Sequence, residues 1–160
     1  MNDPACVPGG SSSGAAASVA FGLAAAGIGK AGGNATTGIL AAAGIGSDTG
    51  GSVRVPSAWN DLVGLKTTSG RLSLEGVVPL AESFDTVGPL CRSVEDCAHL
   101  LAVMEGGTAP DLTGARLEGK RFLVLEPYVS DAAPAQASGF ASGVERLAKA
   151  GARIETGTVG

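Results

Sequence analysis

RFLVLEPYVSDAAPAQASGFASGVERLAKAGARIET, residues 121–156, holds three successive patterns that decide the fold class. Arg121–Glu126 (RFLVLE) is a continuous apolar run of the kind a strand shows when a parallel sheet buries it on both faces. Ala135–Ala150 reads as a helix, weakened by Gly139 and Gly143 and stopped by Gly151, and Ala152–Thr156 reads as a second strand. Strand, helix and strand in that order predict a β-α-β crossover, so the chain is assigned to the α/β class.

Upstream of a polar linker, Thr108–Glu118, the clearest helix is Val94–Glu105. Ser93 is a good N-cap, Asp96 stands at the third helical position, Leu100, Leu101 and Met104 continue an apolar face, and Gly106-Gly107 ends it. Val77, Val78 and Leu80 suggest a short extended piece around Pro79, and Asp61–Thr67 (DLVGLKT) a short buried strand closed by Ser69-Gly70. Two glycine-rich turns precede these. Ser47–Pro56 is one; Val7–Gly14 is the other, running into Ala15–Ala26, whose alanines favour a helix.

The 160 residues are enough for one domain that buries roughly two thirds of its unfolded surface. Eleven basic against 15 acidic residues give a net charge of −4 and a pI near 4.9. That balance gives no electrostatic footprint for nucleic acid or anionic lipid, so no direct nucleic-acid contact is expected, and the partner is a small molecule or a protein. Apolar content of 44% and a mean hydropathy of +0.28 are wrong for a disordered segment. The longest small-residue stretch, Gly14–Ile28, is too short and too rich in Ala and Gly to span a membrane and reads as a buried helix. No secretory signal follows Met1, which points to a cytoplasmic protein. Cys6, Cys91 and Cys97 are odd in number and lack ligand spacing, so reduced thiols and no metal are expected.

Half of the 26 glycines fall within the first 51 residues. Some belong to a repeat, LAAAGIG, at Leu23–Gly29 and again at Leu40–Gly46, an offset of 17 residues. Solenoids need three or more longer units, so this reads as a local duplication or insertion. Gly27-Ile28-Gly29-Lys30-Ala31-Gly32 spells G-x-G-x-x-G, but a dinucleotide site needs that motif after a strand, and an alanine-rich helix precedes it here. A P-loop fails at Ala24 and Ala31. No cofactor is expected.

Gly9-Gly10-Ser11-Ser12-Ser13-Gly14 and Asp48-Thr49-Gly50-Gly51-Ser52 are the stronger candidates. A serine nucleophile needs a base and donors for the oxyanion, and consecutive glycines let successive N–H groups converge on one small space. On physics alone each turn fits a capped helix or an anion nest equally well. His99, the only histidine, lies within the Val94–Glu105 helix beside Leu100 and Leu101, which makes a Ser-His-Asp arrangement unattractive.

VPGGSSSGAAASVA (Val7–Ala20), GSDTGGSVRVPSAWNDLVGLKTTSGRLS (Gly46–Ser73) and GVVPLAESFDTVGPLCRSVEDCAHLLAVMEG (Gly76–Gly106) resemble the amidase signature family. The resemblance implies an α/β fold around a mixed sheet flanked by helices, with hydrolysis of carboxamides, small-molecule substrates, through a Ser, cis-Ser, Lys triad. By motif position Ser52 resembles the nucleophile that forms an acyl-enzyme, and Ser11 the serine after a cis peptide that relays the proton. Thr49, Gly50, Gly51 and Ser52 resemble the backbone oxyanion hole, Asp48 and Arg54 the loop supports, and Ser12 a supporting hydrogen-bonding group.

The sequence departs from the family pattern at two points. Ser11 and Ser52 are 41 residues apart; subtracting the 17-residue offset leaves 24, the separation the resemblance implies, so a window such as residues 30–46 reads as inserted. The family's lysine lies upstream of the first turn, and none of Lys30, Lys66, Lys120 or Lys149 matches it. The chain therefore reads as a central fragment of one amidase-signature domain, with core motifs over 7–106 and a strand-helix-strand continuation over 107–160. Loss of the base implies little activity for the chain alone, since general acid–base catalysis contributes about 100- to 10,000-fold. A non-catalytic truncated product is the alternative; so is a part of the A subunit of a glutamyl-tRNA(Gln) amidotransferase, which passes ammonia to a partner. A homo-oligomer, or a partner supplying the missing segment, is compatible with either.

Overall fold

The computed structural model describes residues 6–22, 26–28 and 43–158, which form two compact units, Met1–Asp111 and Leu112–Gly160. The first unit contains α1 (Ser13–Ala20), β1 (Ala26–Ile28), β2 (Ala43–Asp48), α2 (Arg54–Trp59), β3 (Val63–Gly64), β4 (Thr86–Cys91) and α3 (Val94–Glu105). Among the described residues its strands make a mixed four-stranded sheet in the order β1-β2-β4-β3, with β1 parallel to β2 and the other neighbours antiparallel. The α/β class and the mixed sheet flanked by helices are as the sequence implies.

β4 lies between β2 and β3 and is buried on both faces. Leu90 packs with Ala15, Ala16 and Val53 in a fully buried cluster that Leu62 joins at its edge. Its neighbour Cys91 points to the other side, against Cys97 of α3. Small residues dominate this core, so α1 can approach the sheet closely. At Gly46 of β2 any side chain is excluded: a Cβ there would sit 2.5 Å from Ser12 Oγ and 3.1 Å from a Leu90 methyl.

α3 spans the predicted residues because its ends are specified locally. Ser93 Oγ accepts from Asp96 N at 3.0 Å, Glu95 and Asp96 sit in the first turn where the helix dipole favours negative charge, and Gly106 closes the helix with φ +69°. The helix expected over Ala15–Ala26 is shorter. It stops at Ala20, Gly22 turns the chain with φ +66°, the Arg92 guanidinium donates to the Val19 carbonyl, and Ala26 enters β1. A turn glycine and a tertiary cap override the helix preference of alanine.

The strand expected over Asp61–Thr67 pairs regularly only at Val63–Gly64. Beyond that, Leu65 N donates to Pro89 O and Thr67 Oγ1 to Val87 O, so single bonds replace a ladder. No strand forms at Val77–Leu80. There Leu80 N and Ala81 N turn inward to the Asp85 carboxylate, and Val78 and Leu80 are exposed.

In the second unit β5 (Arg121–Leu125) and β6 (Arg153–Gly157) pair in parallel, with α4 (Pro134–Lys149) between them in sequence. The crossover is as expected, but β5 is not a buried strand: Arg121, Phe122 and Leu123 are exposed, and α4 buries no residue. Two strands and one helix cannot cover both faces of a sheet.

The two copies of LAAAGIG contribute β1 and the start of β2. Ala26 pairs with Ala43, Gly27 with Gly44 and Ile28 with Ile45, so Gly27 and Ile28 lie inside a strand, whereas a dinucleotide motif would follow one. The rest of the G-x-G-x-x-G segment, Lys30, and the insertion window as far as Ala42 lie outside the described residues.

Candidate active site

β2 delivers the chain to Asp48, and the next five residues form a loop that enters α2 at Arg54. Asp48 is fully buried and organises the loop from below. Its Oδ1 accepts from Gly51 N at 2.7 Å and Arg54 Nη2 at 3.0 Å; its Oδ2 accepts from Val53 N at 3.1 Å, Arg54 N at 3.3 Å and Arg54 Nε at 3.0 Å. Burial alone would raise the pKa of this carboxyl. The guanidinium of Arg54 and the amides of Val53, Arg54 and Gly51 outweigh that and bring it down to about 2. Asp48 is therefore a carboxylate at every ordinary pH.

A second buried carboxylate fixes the outer side of the loop. Asp85 accepts a short hydrogen bond from Thr49 Oγ1, and its other oxygen accepts from Leu80 N at 2.8 Å and Ala81 N at 3.0 Å. The Thr49 hydroxyl and these amides hold the Asp85 carboxyl below its ordinary value. Thr86 Oγ1 closes the frame by donating to the Asp48 carbonyl at 2.8 Å.

The first serine turn docks on this loop. Ser12 N donates to Ser52 O at 3.1 Å, and Ser12 Oγ donates to Ser47 O at 3.3 Å, so one buried serine touches both sides of Asp48. This is also why Ser12 does not cap α1 with its side chain. Asn60 Nδ2 bridges the Pro8 and Pro56 carbonyls, each at 2.7 Å, and fastens the start of the first turn to α2. The Gly10–Ser11 peptide bond is cis. Ser11 and Ser52 are both half-buried, each at the head of a turn anchored by its neighbours.

Turns that are 41 residues apart in sequence are thus joined through Ser12, Ser52, Ser47 and Asn60. Among the loop amides, Gly51 N is committed to Asp48, whereas Gly50 N and Ser52 N donate to no described group. Among the described residues no lysine is hydrogen-bonded to either turn, and His99 is exposed on α3. Cys97 Sγ donates to Val63 O at 3.4 Å, and the hydrogen bond with Cys97 together with burial pushes the Cys91 thiol up, away from reactivity. Among the described residues no cluster of His, Cys, Asp or Glu could hold a metal ion, and no helix is long and apolar enough to cross a membrane.

Sequence reasoning overlooked Asp85, Thr86, Asn60 and Gly46. Asp85 and Thr86 stand in the stretch GVVPLAESFDTVGPL, where an Asp-Thr pair between apolar runs gave the only available signal. Their partners are 36 and 38 residues distant.

The family model described as Amidase matches residues 32–155. The chain belongs to the amidase family. It is 37% identical over 162 residues to the glutamyl-tRNA(Gln) amidotransferase A subunit of Nitratiruptor sp., a match covering 95% of this chain and 33% of that protein. It is 41% identical over 151 residues to the 2-amino-5-chloromuconic acid deaminase of Comamonas testosteroni, covering 92% of this chain and 29% of the other. The crystal structure of the glutamyl-tRNA(Gln) amidotransferase A subunit of Thermotoga maritima superposes with a TM-score of 0.77 at 30% identity, covering 95% of this chain and 33% of that one. This amidase-family chain spans about a third of the length of the curated relatives it matches, and its fold is a corresponding part of theirs.

Proposed function

We propose that this chain is the nucleophile-bearing central part of a single amidase-signature domain that hydrolyses carbon–nitrogen bonds of small carboxamides in the cytoplasm. Ser52 Oγ attacks the amide carbonyl, Ser11 takes up and relays its proton, and ammonia or an amine leaves an acyl-enzyme that water then hydrolyses. The proton's final acceptor, a lysine by family resemblance, is not assigned to any residue of this sequence, and low turnover is expected of the chain alone. Gly51 N already serves Asp48, so within the Thr49–Ser52 set the oxyanion falls to the amides of Thr49, Gly50 and Ser52. Each such donor is worth about 3 to 4 kcal/mol in the transition state. Asp48, Arg54 and Ser12 hold the loop.

The observation that carries this reading is the Ser12 N to Ser52 O bond, which brings both serine turns onto one anchored loop. Acylation by an activated ester, mapped by peptide mass spectrometry, tests it. A slow acyl adduct is expected on Ser52 and none on Ser52→Ala; an adduct elsewhere, or one undiminished in Ser52→Ala, refutes the assignment.

The similarity to glutamyl-tRNA(Gln) amidotransferase A subunits favours a second reading, in which the released ammonia passes to a partner chain. Co-purification with further subunits distinguishes it from a free-standing amidase.

A further inference from the structure

The 17-residue repeat is resolved by the sheet into two neighbouring strands. β1 belongs to the first LAAAGIG copy and β2 begins in the second, and the parallel register joins Ala26 to Ala43, Gly27 to Gly44 and Ile28 to Ile45. The register offset is therefore the repeat offset: each of these residues is paired with its own duplicate.

The slot that β2 fills, next to β4, makes specific demands. It places Gly44 and Gly46 on a buried face, and at Gly46 a side chain would run into Ser12 and Leu90. The first copy supplies Ala26, Gly27, Ile28 and Gly29 where the second supplies Ala43, Gly44, Ile45 and Gly46. Strand propensity and packing in those four positions cannot tell the copies apart. Chain connectivity favours the first, which starts four residues after Gly22 instead of 21, because short connections close at lower entropic cost.

The copies differ immediately downstream. Gly46 is succeeded by Ser47 and Asp48, Gly29 by Lys30 and Ala31. The Ser47 contact with Ser12 uses a backbone carbonyl that any residue provides, whereas Asp48 supplies the carboxylate that accepts five hydrogen bonds from Gly51, Val53 and Arg54. Ala31 offers no acceptor in its place.

We propose that the two copies are interchangeable occupants of the strand slot beside β4 and that the Asp48 carboxylate selects the second, so that choosing the register and forming the Ser52 loop are one event. With the first copy in the slot, Ala31 takes the place of Asp48 and the Ser52 loop is displaced from its anchor. The sheet is thus a two-state element whose states differ by a 17-residue shift of one strand. The inference rests on register and sequence, and stands independently of any catalytic role for Ser52.

Cys91 provides the reporter, because it faces Ala43 across the β2/β4 pair and would face Ala26 in the other register. Opposed strand residues are close enough for a disulfide. Ala43→Cys and Ala26→Cys are each placed in a chain carrying Cys6→Ser and Cys97→Ser, oxidised, and mapped by mass spectrometry. With Asp48 present, Ala43→Cys links to Cys91 and Ala26→Cys does not. Adding Asp48→Ala raises the Ala26→Cys link at least about tenfold at the expense of the Ala43→Cys link. An Asp48→Ala chain that keeps its helical circular dichroism and still links only through position 43 overturns the proposal. If Asp48→Ala does not fold, Asp48→Asn replaces it and must show both links; the position-43 link alone again overturns the proposal. Deleting residues 30–46 tests interchangeability separately. Joining Gly29 to Ser47 leaves one copy, and Ala26→Cys must then link to Cys91; failure to link refutes it.

Discussion

Replacing Arg54 by alanine tests whether the Asp48 network sets the stability of the serine loop. Both Nε and Nη2 of Arg54 lie 3.0 Å from the Asp48 carboxylate, which is fully buried, while the Arg54 side chain is 49% exposed. Exposed ion pairs contribute about 0 to 1 kcal/mol, and breaking a fully buried pair costs about 3 to 5. This pair lies between those limits, and three backbone donors remain on Asp48, so Arg54→Ala should lose about 2 kcal/mol at pH 7. The acid limb bounds what all the partners of Asp48 contribute together. A carboxyl with a folded pKa of about 2 against an ordinary 3.8 contributes about 2.5 kcal/mol of stability. Because the folded pKa is the lower one, that contribution is complete above pH 4 and disappears as pH falls through about 2. Without Arg54 the Asp48 pKa rises, so the variant has less to lose. Urea denaturation followed by the fluorescence of Trp59, the only tryptophan, at the end of α2, reads the difference. The expected gap of about 2 kcal/mol at pH 7 should close almost completely below pH 2. No gap at pH 7, or a gap of equal size at both pH values, would show that the Arg54–Asp48 pair does not stabilise the loop.

Gly88→Ala should cost at least about 3 kcal/mol by the same assay, since its Cβ would collide with the Leu65 carbonyl and β4 has no freedom to yield. Asn60→Ala removes the bridge between the Pro8 and Pro56 carbonyls and should cost about 1 to 2 kcal/mol, with proteolysis appearing first at Val7–Ser12 while α3 keeps its amide protection. Ser93→Ala deletes the cap on Asp96 N and should cost about 1 kcal/mol, and Ser93→Gly less. A Ser93→Ala chain as stable as the parent would show that α3 is held by packing alone.

What the sequence revealed depended on the range of the interactions involved. α3 was legible to the residue because Ser93, Asp96 and Gly106 specify it from within one helix length. The crossover β5-α4-β6 was legible for the same reason: period and punctuation are local. The end of α1 was not, because it is set by Gly22 and by Arg92, 73 residues beyond the carbonyl it caps. The strand expected at Val77–Leu80 failed because β-branched residues imply a strand only when a neighbour is available to pair, and here the amides of Leu80 and Ala81 are taken by Asp85. At the site, composition and spacing marked both glycine-serine turns, but that Gly51 N is turned inward to Asp48 could be read only from the folded loop.

The loop's dependence on carboxylates stems from the composition of the core. Among the described residues of the first unit the buried apolar side chains are mostly Ala, Val and Cys around Leu90, so burial alone offers the Thr49–Ser52 segment little to pack against. Glycines at 50 and 51 remove side chains that would otherwise anchor it and raise the entropy lost on ordering it. Polar contacts must supply the difference, and they do so from two sides: Asp48 binds the amides of Gly51, Val53 and Arg54 from beneath, and Asp85 binds the Thr49 hydroxyl from outside. Such an arrangement fixes the backbone to within hydrogen-bond tolerance while the Cβ side of Gly50 stays open, with nothing within 4 Å, which suits the oxyanion role proposed for its amide. It also concentrates the loop's order in one residue. The amides of Gly51, Val53 and Arg54 and the Arg54 guanidinium all converge on the carboxylate of Asp48, so under the proposed register choice the group that anchors the loop is also the one that selects which copy enters the strand.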